Sequence, residues 1–237
     1  MFTVALVGGD GAGKTTIARS LEKSFPLPVK YLYMGLSTQS SNLALPSSRL
    51  VLFLKRRSYG RMVQKSGQAP PEKIPAHHLE YSQVERGPIW LTARFLNRLA
   101  EAWYRQVVSM SYQLRGYVVV YDRHFLFDAA PMVTNSQIQK QPPLDHLYYQ
   151  IISHFYPEPN LVILLNTPAK ILYERKGEAT PEYLNRQMEA YLKQGEKLDS
   201  FVQVDATKPI DQVLEEVTQH ILDLYESQTH HRFHGNG

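Results

Sequence analysis

A glycine-rich segment near the N-terminus has the residue types and the spacing that bind phosphate groups. It reads Gly8-Gly9-Asp10-Gly11-Ala12-Gly13-Lys14-Thr15 and fits the pattern G-x-x-x-x-G-K-[ST] at every defined position. Glycines let the backbone bend so that several amide groups point into one cavity, and the positive end of a following helix adds to the attraction. Lys14 is expected to reach the β- and γ-phosphates of ATP, and the Thr15 hydroxyl is expected to ligate Mg²⁺.

The residues on either side predict the strand and the helix that this motif requires. The apolar run from Phe2 to Val7 predicts a buried strand, and Ile17, Leu21 and Phe25 recur at helical spacing after the loop. We therefore expect a helix from about Lys14 to Lys23. The motif alone does not separate kinases from GTPases and motor ATPases. The guanine-selecting N-K-x-D sequence and the L-S-G-G-Q sequence of transport ATPases are absent, which favours a small-molecule phosphotransferase.

Strands and helices alternate along the rest of the chain, which predicts an α/β fold with a parallel sheet. The further predicted strands are Val29 to Met34, Tyr117 to Tyr121, Leu161 to Leu165 and Phe201 to Val204. A long amphipathic helix is predicted from Trp90 to Leu114, with Leu91, Phe95, Leu99, Trp103 and Val107 on its apolar face and Gly116 as its C-cap.

Three proline positions mark further helix starts. Thr167-Pro168 and Thr180-Pro181 each place a capping residue before a proline at the first helical position. Pro209 opens a last helix, whose inward residues are predicted to be Ile210, Val213, Leu214, Val217, Ile221 and Leu224. We expect one domain over residues 1–226, without an assigned fold for 36–89 and with a disordered polar tail from Ser227 to Gly237.

A second polar motif follows the strand that ends at Tyr121. Asp122-Arg123-His124 stands at the carboxyl end of that strand, where ligands bind in open α/β sheets. Asp122 could hold Mg²⁺ through water, and Arg123 could bind a phosphate with two hydrogen bonds. The alternative is that Asp122 and Arg123 only pair with each other at the strand end.

Together these motifs resemble the thymidylate kinase family of phosphate-loop nucleotide kinases. The resemblance covers about residues 1–35 and 90–226. It is carried by G-G-D-G-A-G-K-T-T from Gly8 to Thr16, D-R-H at 122–124, L-L-N-T-P at 164–168, R-K-G-E at 175–178 and D-A-T-K-P at 205–209. It implies a parallel sheet of five strands wrapped by helices, with a mobile lid at about 175–186.

The resemblance also implies roles for individual residues. Asp10 would lie near the acceptor, and Arg123 would bind the acceptor phosphate. Arg175 and Lys176, and less firmly Arg186, would neutralise the transferring phosphoryl group. The loop Ala206, Thr207 and Lys208 would lie beside adenine. The family holds its acceptor with an arginine on the long helix; Arg94, Arg98, Glu101 and Arg105 share one stripe there. We predict that Arg98 is the arginine that holds the acceptor. The alternative is that the stripe is only a solvated, salt-bridged face of the helix.

Departures from the family pattern concentrate on the acceptor side. The R-E-P-G-G-T-type loop is replaced by Gly35-Leu36-Ser37-Thr38-Gln39-Ser40, and the segment Phe125 to Pro131 replaces a base-contacting one. Three functions therefore stay open. They are a nucleoside monophosphate kinase with dTMP as first candidate, a kinase of a nucleoside, a sugar or a lipid-linked intermediate, and a nucleotide-binding regulator without turnover.

Composition limits the metal sites and the binding partners that the chain can have. The 237 residues include no cysteine, so disulfides and thiolate metal sites are excluded. Charged residues make up 20% of the chain, and the net charge is +4. No apolar run approaches the roughly 20 residues of a membrane span, and a cytoplasmic location is the expectation. No specific nucleic-acid signal appears. Basic residues between 49 and 65 could contact a membrane surface, and a homodimer is also left open.

Overall fold

The computed structural model describes residues 1–35, 42–50, 53–54, 57, 87–128, 143–177 and 179–234. The chain divides into two compact units: residues 1–36, 108–140 and 156–237 form the first unit, and residues 37–107 and 141–155 form the second. A compact unit is not by itself an independent folding domain, so one domain over 1–226 stays a prediction.

The first unit is built on a five-stranded sheet in which every strand pairing is parallel. Its strands are β1 (Thr3–Val7), β2 (Val29–Tyr33), β3 (Val118–Asp122), β4 (Leu161–Asn166) and β5 (Phe201–Asp205), in the spatial order β2-β3-β1-β4-β5. Strands β1 and β3 are buried along their whole length, as continuous apolar runs in parallel sheets are. The predicted α/β fold with a parallel five-stranded sheet is confirmed.

Helices connect or follow these strands, and six of them have bounds that lie within the described residues. They are α1 (Lys14–Ser24), α2 (Pro88–Leu114), α3 (Pro143–Phe155), α4 (Ala169–Lys176), α5 (Pro181–Gly195) and α6 (Ile210–His234). Five of them begin near the predicted positions, whereas α3 was not predicted.

The core of the first unit lies where α1 and α6 cover the sheet. Ile17 and Leu21 of α1, and Val217 and Ile221 of α6, are essentially fully buried with the strand residues. Burial of each such side chain contributes roughly 1.5–3 kcal/mol, so the helices that flank the phosphate loop are held firmly in place.

The apolar face predicted for α2 is wrong in the second half of that helix. Trp103 and Val107 are 42% and 63% exposed, whereas Glu101, Arg105 and Ser109 are buried. The polar side chains are buried because each has a partner: Glu101 pairs with Arg105, and Ser109 shares a hydrogen bond with the hydroxyl of Tyr121. The alternative of a solvated stripe is therefore also wrong for this part of the helix.

The predictions for two helices, α4 and α6, need correction. Pro168, not Thr167, is the N-cap of α4, and the buried Thr167 hydroxyl makes no cap bond. Helix α6 continues to His234 instead of ending at residue 226, because no glycine or proline interrupts it and Thr229 bonds back to the Tyr225 carbonyl. Ile210, predicted to face inward, is 46% exposed at the first turn of α6.

Candidate functional site

The predicted functional residues of the first unit follow the carboxyl ends of neighbouring strands. Leu6 of β1 and Tyr33 of β2 both lie opposite Asp122 in the sheet register. On the other side of β1, Asn166 of β4 lies opposite Asp205 of β5. Parallel strands end at one edge of the sheet, so the loops after β1, β3, β4 and β5 open on the side where open α/β sheets bind ligands.

The phosphate loop uses glycine where the backbone requires it. Gly8, Gly11 and Gly13 have φ angles of +144°, +98° and +93°, a range that other residues rarely adopt. A Cβ on Gly8 would also lie 2.8 Å from the carbonyl oxygen of Leu165. The loop therefore depends on these glycines both for its curvature and for its close approach to β4.

Lys14 lies inside the loop and is 5% exposed. Its Nζ donates hydrogen bonds to the carbonyl oxygens of Gly8 and Gly9, at 2.8 and 2.7 Å, and lies 3.9 Å from Asp10. Burial, assisted by the charge of Arg123, lowers the pKa of Lys14 to about 8. Hydrogen bonds to two carbonyls thus hold the Lys14 side chain at the loop, and its predicted contact with the β- and γ-phosphates stays a prediction.

Thr15 and Asp122 come together although they are far apart in sequence. The Thr15 hydroxyl donates to Oδ2 of Asp122 at 2.5 Å, and the hydroxyl of Tyr31 donates to the same oxygen at 3.2 Å. Burial and the carboxylate raise the pKa of Tyr31, so that hydroxyl keeps its proton. Sequence analysis assigned no role to Tyr31 at this carboxylate.

A hydroxyl and a carboxylate are ligands that suit Mg²⁺. The ion accepts hard oxygen donors and is usually held by one or two protein groups together with substrate phosphates. In the part of the chain that the structure describes, no cluster of three or more His, Cys, Asp or Glu residues forms a separate metal site. The pair Thr15 and Asp122 fits the predicted Mg²⁺ role, which stays a prediction.

Arg123 is clamped between two carboxylates. It forms an ion pair with Asp10, and its Nη1 lies 3.6 Å from Oδ1 of Asp128. Its φ angle is +71°, a left-handed conformation that is unusual for a residue with a side chain. A Cβ on Gly35 would lie 2.5 Å from Cδ of Arg123. The structure therefore does not support the alternative in which Arg123 only pairs with Asp122.

The charge of Asp10 is stabilised at this place. Burial raises the pKa of Asp10, but the positive charges of Arg123 and Lys14 outweigh it, so that the pKa lies below its usual range. The side chain is nevertheless 41% exposed. Asp10 is thus an ionised carboxylate with an open side, in the loop that carries Lys14.

The segment predicted to be the lid, at about 175–186, spans the end of α4 and the beginning of α5. Gly177 ends α4 in a left-handed conformation with a φ of +63°, and Thr180 caps α5 through a hydrogen bond from the Tyr183 amide, with Pro181 next to it as predicted. Glu178, between the two helices, lies outside the described residues.

A cavity of about 610 Å³ lies between these helices and the phosphate loop. Its lining combines apolar and aromatic side chains with Asp10, Lys176, Arg186 and Gln187. Arg175 is turned elsewhere: its Nη1 donates to the carbonyl oxygen of Gly11 at 3.3 Å. Of the cations predicted for the lid, Lys176 and Arg186 therefore line the cavity and Arg175 contacts the phosphate loop itself.

The loop predicted to lie beside adenine forms a compact turn after β5. Oδ1 of Asp205 accepts hydrogen bonds from the amide and the hydroxyl of Thr207, and the Ala206 amide donates to the carbonyl of Asn166. Lys208 pairs with Glu216. The turn is well ordered by these bonds, and its contact with adenine stays a prediction.

Arg98 belongs to the second unit and has partners there. It forms an ion pair with Asp145, and its guanidinium lies 4.1 Å from the ring centroid of Tyr148. Farther along α2, Glu101 accepts hydrogen bonds from the Leu45 amide and the Ser48 hydroxyl in addition to its pair with Arg105. The predicted acceptor-binding role of Arg98 is not tested by these contacts.

Some predictions fall on residues that the structure does not describe. They concern the loop at 36–41, most of the insertion at 36–89, most of the basic segment at 49–65 and the residues from 129 onward in the segment after D-R-H. Among the described helices, none has the length and apolar character needed to cross a membrane.

Comparisons with known proteins give likenesses to solved structures. No family model matches the sequence, and a search of curated proteins found no match. The chain is similar to a solved structure of deoxyadenosine kinase from M. mycoides with the products dCMP and a flexible dCDP bound. The TM-score is 0.49, the identity is 17%, and the match covers 93% of this chain and 99% of that one. The function proposed below therefore rests on the geometry of the site.

Proposed function

We propose that this chain is an ATP-dependent phosphotransferase that moves the γ-phosphoryl group of ATP to a small acceptor, with a nucleoside monophosphate as the first candidate. The observation that carries the proposal is the meeting of Thr15 and Asp122 beside the buried ammonium group of Lys14. This arrangement places a cation, a hydroxyl and a carboxylate at a loop whose glycine backbone suits phosphate groups.

Each residue of the site would have its own role in phosphoryl transfer. Lys14 would leave the loop carbonyls for the β- and γ-phosphates, and Thr15 and Asp122 would hold Mg²⁺. The metal, when bound, neutralises charge on the phosphate oxygens during an in-line displacement. Lys176 and Arg186 line the cavity next to Asp10, so they would stabilise negative charge that develops on the transferring group.

A monophosphate acceptor such as dTMP needs no base in the protein. Its phosphate has a second pKa of about 6, so the attacking oxygen is already anionic near neutral pH. Arg123 would then bind the acceptor phosphate, which would have to compete with Asp10 and Asp128 for the guanidinium.

A hydroxyl acceptor is the second candidate, and the clamped arginine favours it. Two carboxylates already neutralise Arg123, and Asp10 is ionised and open on one side. A nucleoside, a sugar or a lipid-linked alcohol would give up its proton during transfer, and Asp10 could accept that proton as a general base.

One assay tests the proposal and separates these candidates. ADP release is measured with Mg-ATP and a panel of ribo- and deoxynucleoside monophosphates, nucleosides and simple sugars, with a control that lacks acceptor. Release stimulated chiefly by dTMP supports the first candidate, and release stimulated by a nucleoside or a sugar supports the second. Flat rates across the panel, with ATP binding confirmed separately, would contradict both and favour a regulator without turnover.

The variant Asp10→Asn then tests the chemistry. If the acceptor is a monophosphate, we expect a fall in kcat of less than about 10-fold. If the acceptor is a hydroxyl, loss of the base lowers kcat by roughly 10²- to 10⁴-fold.

A further inference from the structure

The carboxylate of Asp122 is held by a buried hydroxyl as well as by Thr15. Asp122 is 1% exposed and Tyr31 is 7% exposed. Tyr31 donates to Oδ2 of Asp122 at 3.2 Å, and Thr15 donates to the same oxygen at 2.5 Å. Both of these hydrogen bonds end on Oδ2, so neither of them occupies Oδ1 of Asp122.

The sheet register explains how Tyr31 reaches this carboxylate. In the parallel pairing of β2 with β3, Tyr31 lies opposite Val120 and Tyr33 lies opposite Asp122. Side chains two residues apart on a strand point to the same face of the sheet. Tyr31 and Asp122 therefore share a face, diagonally placed, and the length of the tyrosine ring spans the offset.

We propose that Tyr31 is a positioning residue for the metal: its hydroxyl fixes the orientation in which the Asp122 carboxylate serves Mg²⁺ bound with ATP. This inference rests on the proposed function, because it presumes that nucleotide and metal bind at the phosphate loop. Partners that orient a carboxylate near a metal typically change metal affinity 10- to 100-fold when they are removed. Tyr31 lies on β2, whereas the phosphate loop follows β1 and Asp122 ends β3.

The test compares ATP affinity with and without the metal. Isothermal titration calorimetry measures the Kd of ATP in excess Mg²⁺ and in EDTA, without any acceptor, for the native chain and for Tyr31→Phe. The phenylalanine ring fills the same space and lacks only the hydroxyl. We expect the gain in ATP affinity that Mg²⁺ provides to shrink about 10-fold in Tyr31→Phe, with the Kd in EDTA unchanged.

A matched control separates positioning from a general loosening of the sheet. Tyr121 follows Val120 on β3, is 2% exposed and shares a 2.7 Å hydrogen bond with the Ser109 hydroxyl. Tyr121→Phe therefore removes a buried tyrosine hydroxyl next to Asp122 in sequence without touching the carboxylate. We expect this variant to keep the native effect of Mg²⁺ on ATP affinity.

Each outcome decides a separate question. A native-like effect of Mg²⁺ in Tyr31→Phe, or an equal loss in both variants, overturns the inference. If Tyr31→Phe does not fold in plain buffer, all proteins are measured in a buffer with a stabilising osmolyte, which strengthens burial, and the result is interpreted in the same way. Native chain that binds ATP equally well in Mg²⁺ and EDTA overturns the metal assignment together with the inference. Native chain that binds no ATP in either buffer contradicts the proposed function itself, before any variant is considered.

Discussion

Two groups of charged residues in this protein differ in the kind of partner they contact and in how deeply they are buried. At the carboxyl edge of the sheet in the first unit, Lys14 bonds to backbone carbonyls and Asp10 is open on one side. In the second unit, Glu101 and Arg105 are buried against each other, and Glu101 also accepts bonds from Leu45 and Ser48.

The difference separates groups that can exchange partners from groups that hold the chain together. A cation on carbonyl oxygens can move to a phosphate, because the carbonyls that it leaves are uncharged. A buried carboxylate with three partners cannot change them without leaving a buried charge, which is costly. We therefore expect substitutions at the first group to change chemistry and substitutions at the second to change stability.

The largest effect is expected for Lys14→Ala. Loss of the ammonium group removes a preorganised charge at the transferring phosphoryl group, so turnover should fall by roughly 10³-fold, or about 4 kcal/mol. The coupled ADP assay measures it, and circular dichroism checks the fold. Turnover within about 10-fold of the native value would mean that Lys14 is a structural residue like Glu101.

Glu101→Ala should act mainly on stability. The change removes one partner of a buried ion pair, and such losses cost about 3–5 kcal/mol. Urea denaturation measures the change in the free energy of unfolding, and Glu101→Gln serves as the control that keeps the shape of the side chain and one acceptor oxygen but removes the charge. A change below about 1 kcal/mol would contradict the structural role of this pair.

A pH effect on stability is expected from His124 in the first unit. Its ring lies between Tyr121 and Tyr156, with ring centroids 5.8 and 5.4 Å away, and burial lowers its pKa to about 3. The unfolded chain therefore binds a proton below about pH 6.5 that the folded chain does not bind until about pH 3. Stability should fall as the pH falls through this window, by at most about 1.4 kcal/mol per pH unit.

His124→Phe isolates this contribution. Urea denaturation between pH 7 and pH 4.5 should show a shallower loss of stability for the variant than for the native chain. Equal slopes would show that His124 does not carry the effect.

The smallest expected effect is that of Arg98→Ala, and it tests the comparison directly. If Arg98 binds the acceptor as predicted, the acceptor KM should rise about 5-fold, which corresponds to about 1 kcal/mol for one exposed charge pair, with the KM of ATP unchanged. An unchanged acceptor KM would place Arg98 with Glu101 among the residues that only hold the second unit together. Asp145→Asn is the control, since it removes the ion-pair partner and keeps the arginine.

Sequence reasoning reached those parts of the site that are local in the chain. The phosphate loop was predictable because eight consecutive residues carry its geometry. Asp122 was predictable because it ends an apolar run, and runs of this kind become parallel strands whose ends meet. The confirmed sheet follows from the same alternation of strands and helices.

The missed features depend on contacts between distant segments. Tyr31 was not recognised because its bond to Asp122 requires the register of β2 against β3. Periodicity identified the apolar residues of α2 but not the direction in which the helix faces, so Trp103 was placed inside and Glu101 outside. A buried polar residue can be predicted only when its partner is known.

The backbone of Arg123 has a consequence for the stability of the first unit. A left-handed conformation costs a residue with a Cβ about 1–2 kcal/mol, a cost that glycine avoids, and Arg123 has a φ of +71°. This backbone cost falls at the residue whose side chain pairs with Asp10 and Asp128, so those ion pairs have to offset it. Comparing the unfolding free energies of Arg123→Gly and Arg123→Ala, which both lack the guanidinium, would measure how much stability the chain gives up at this residue.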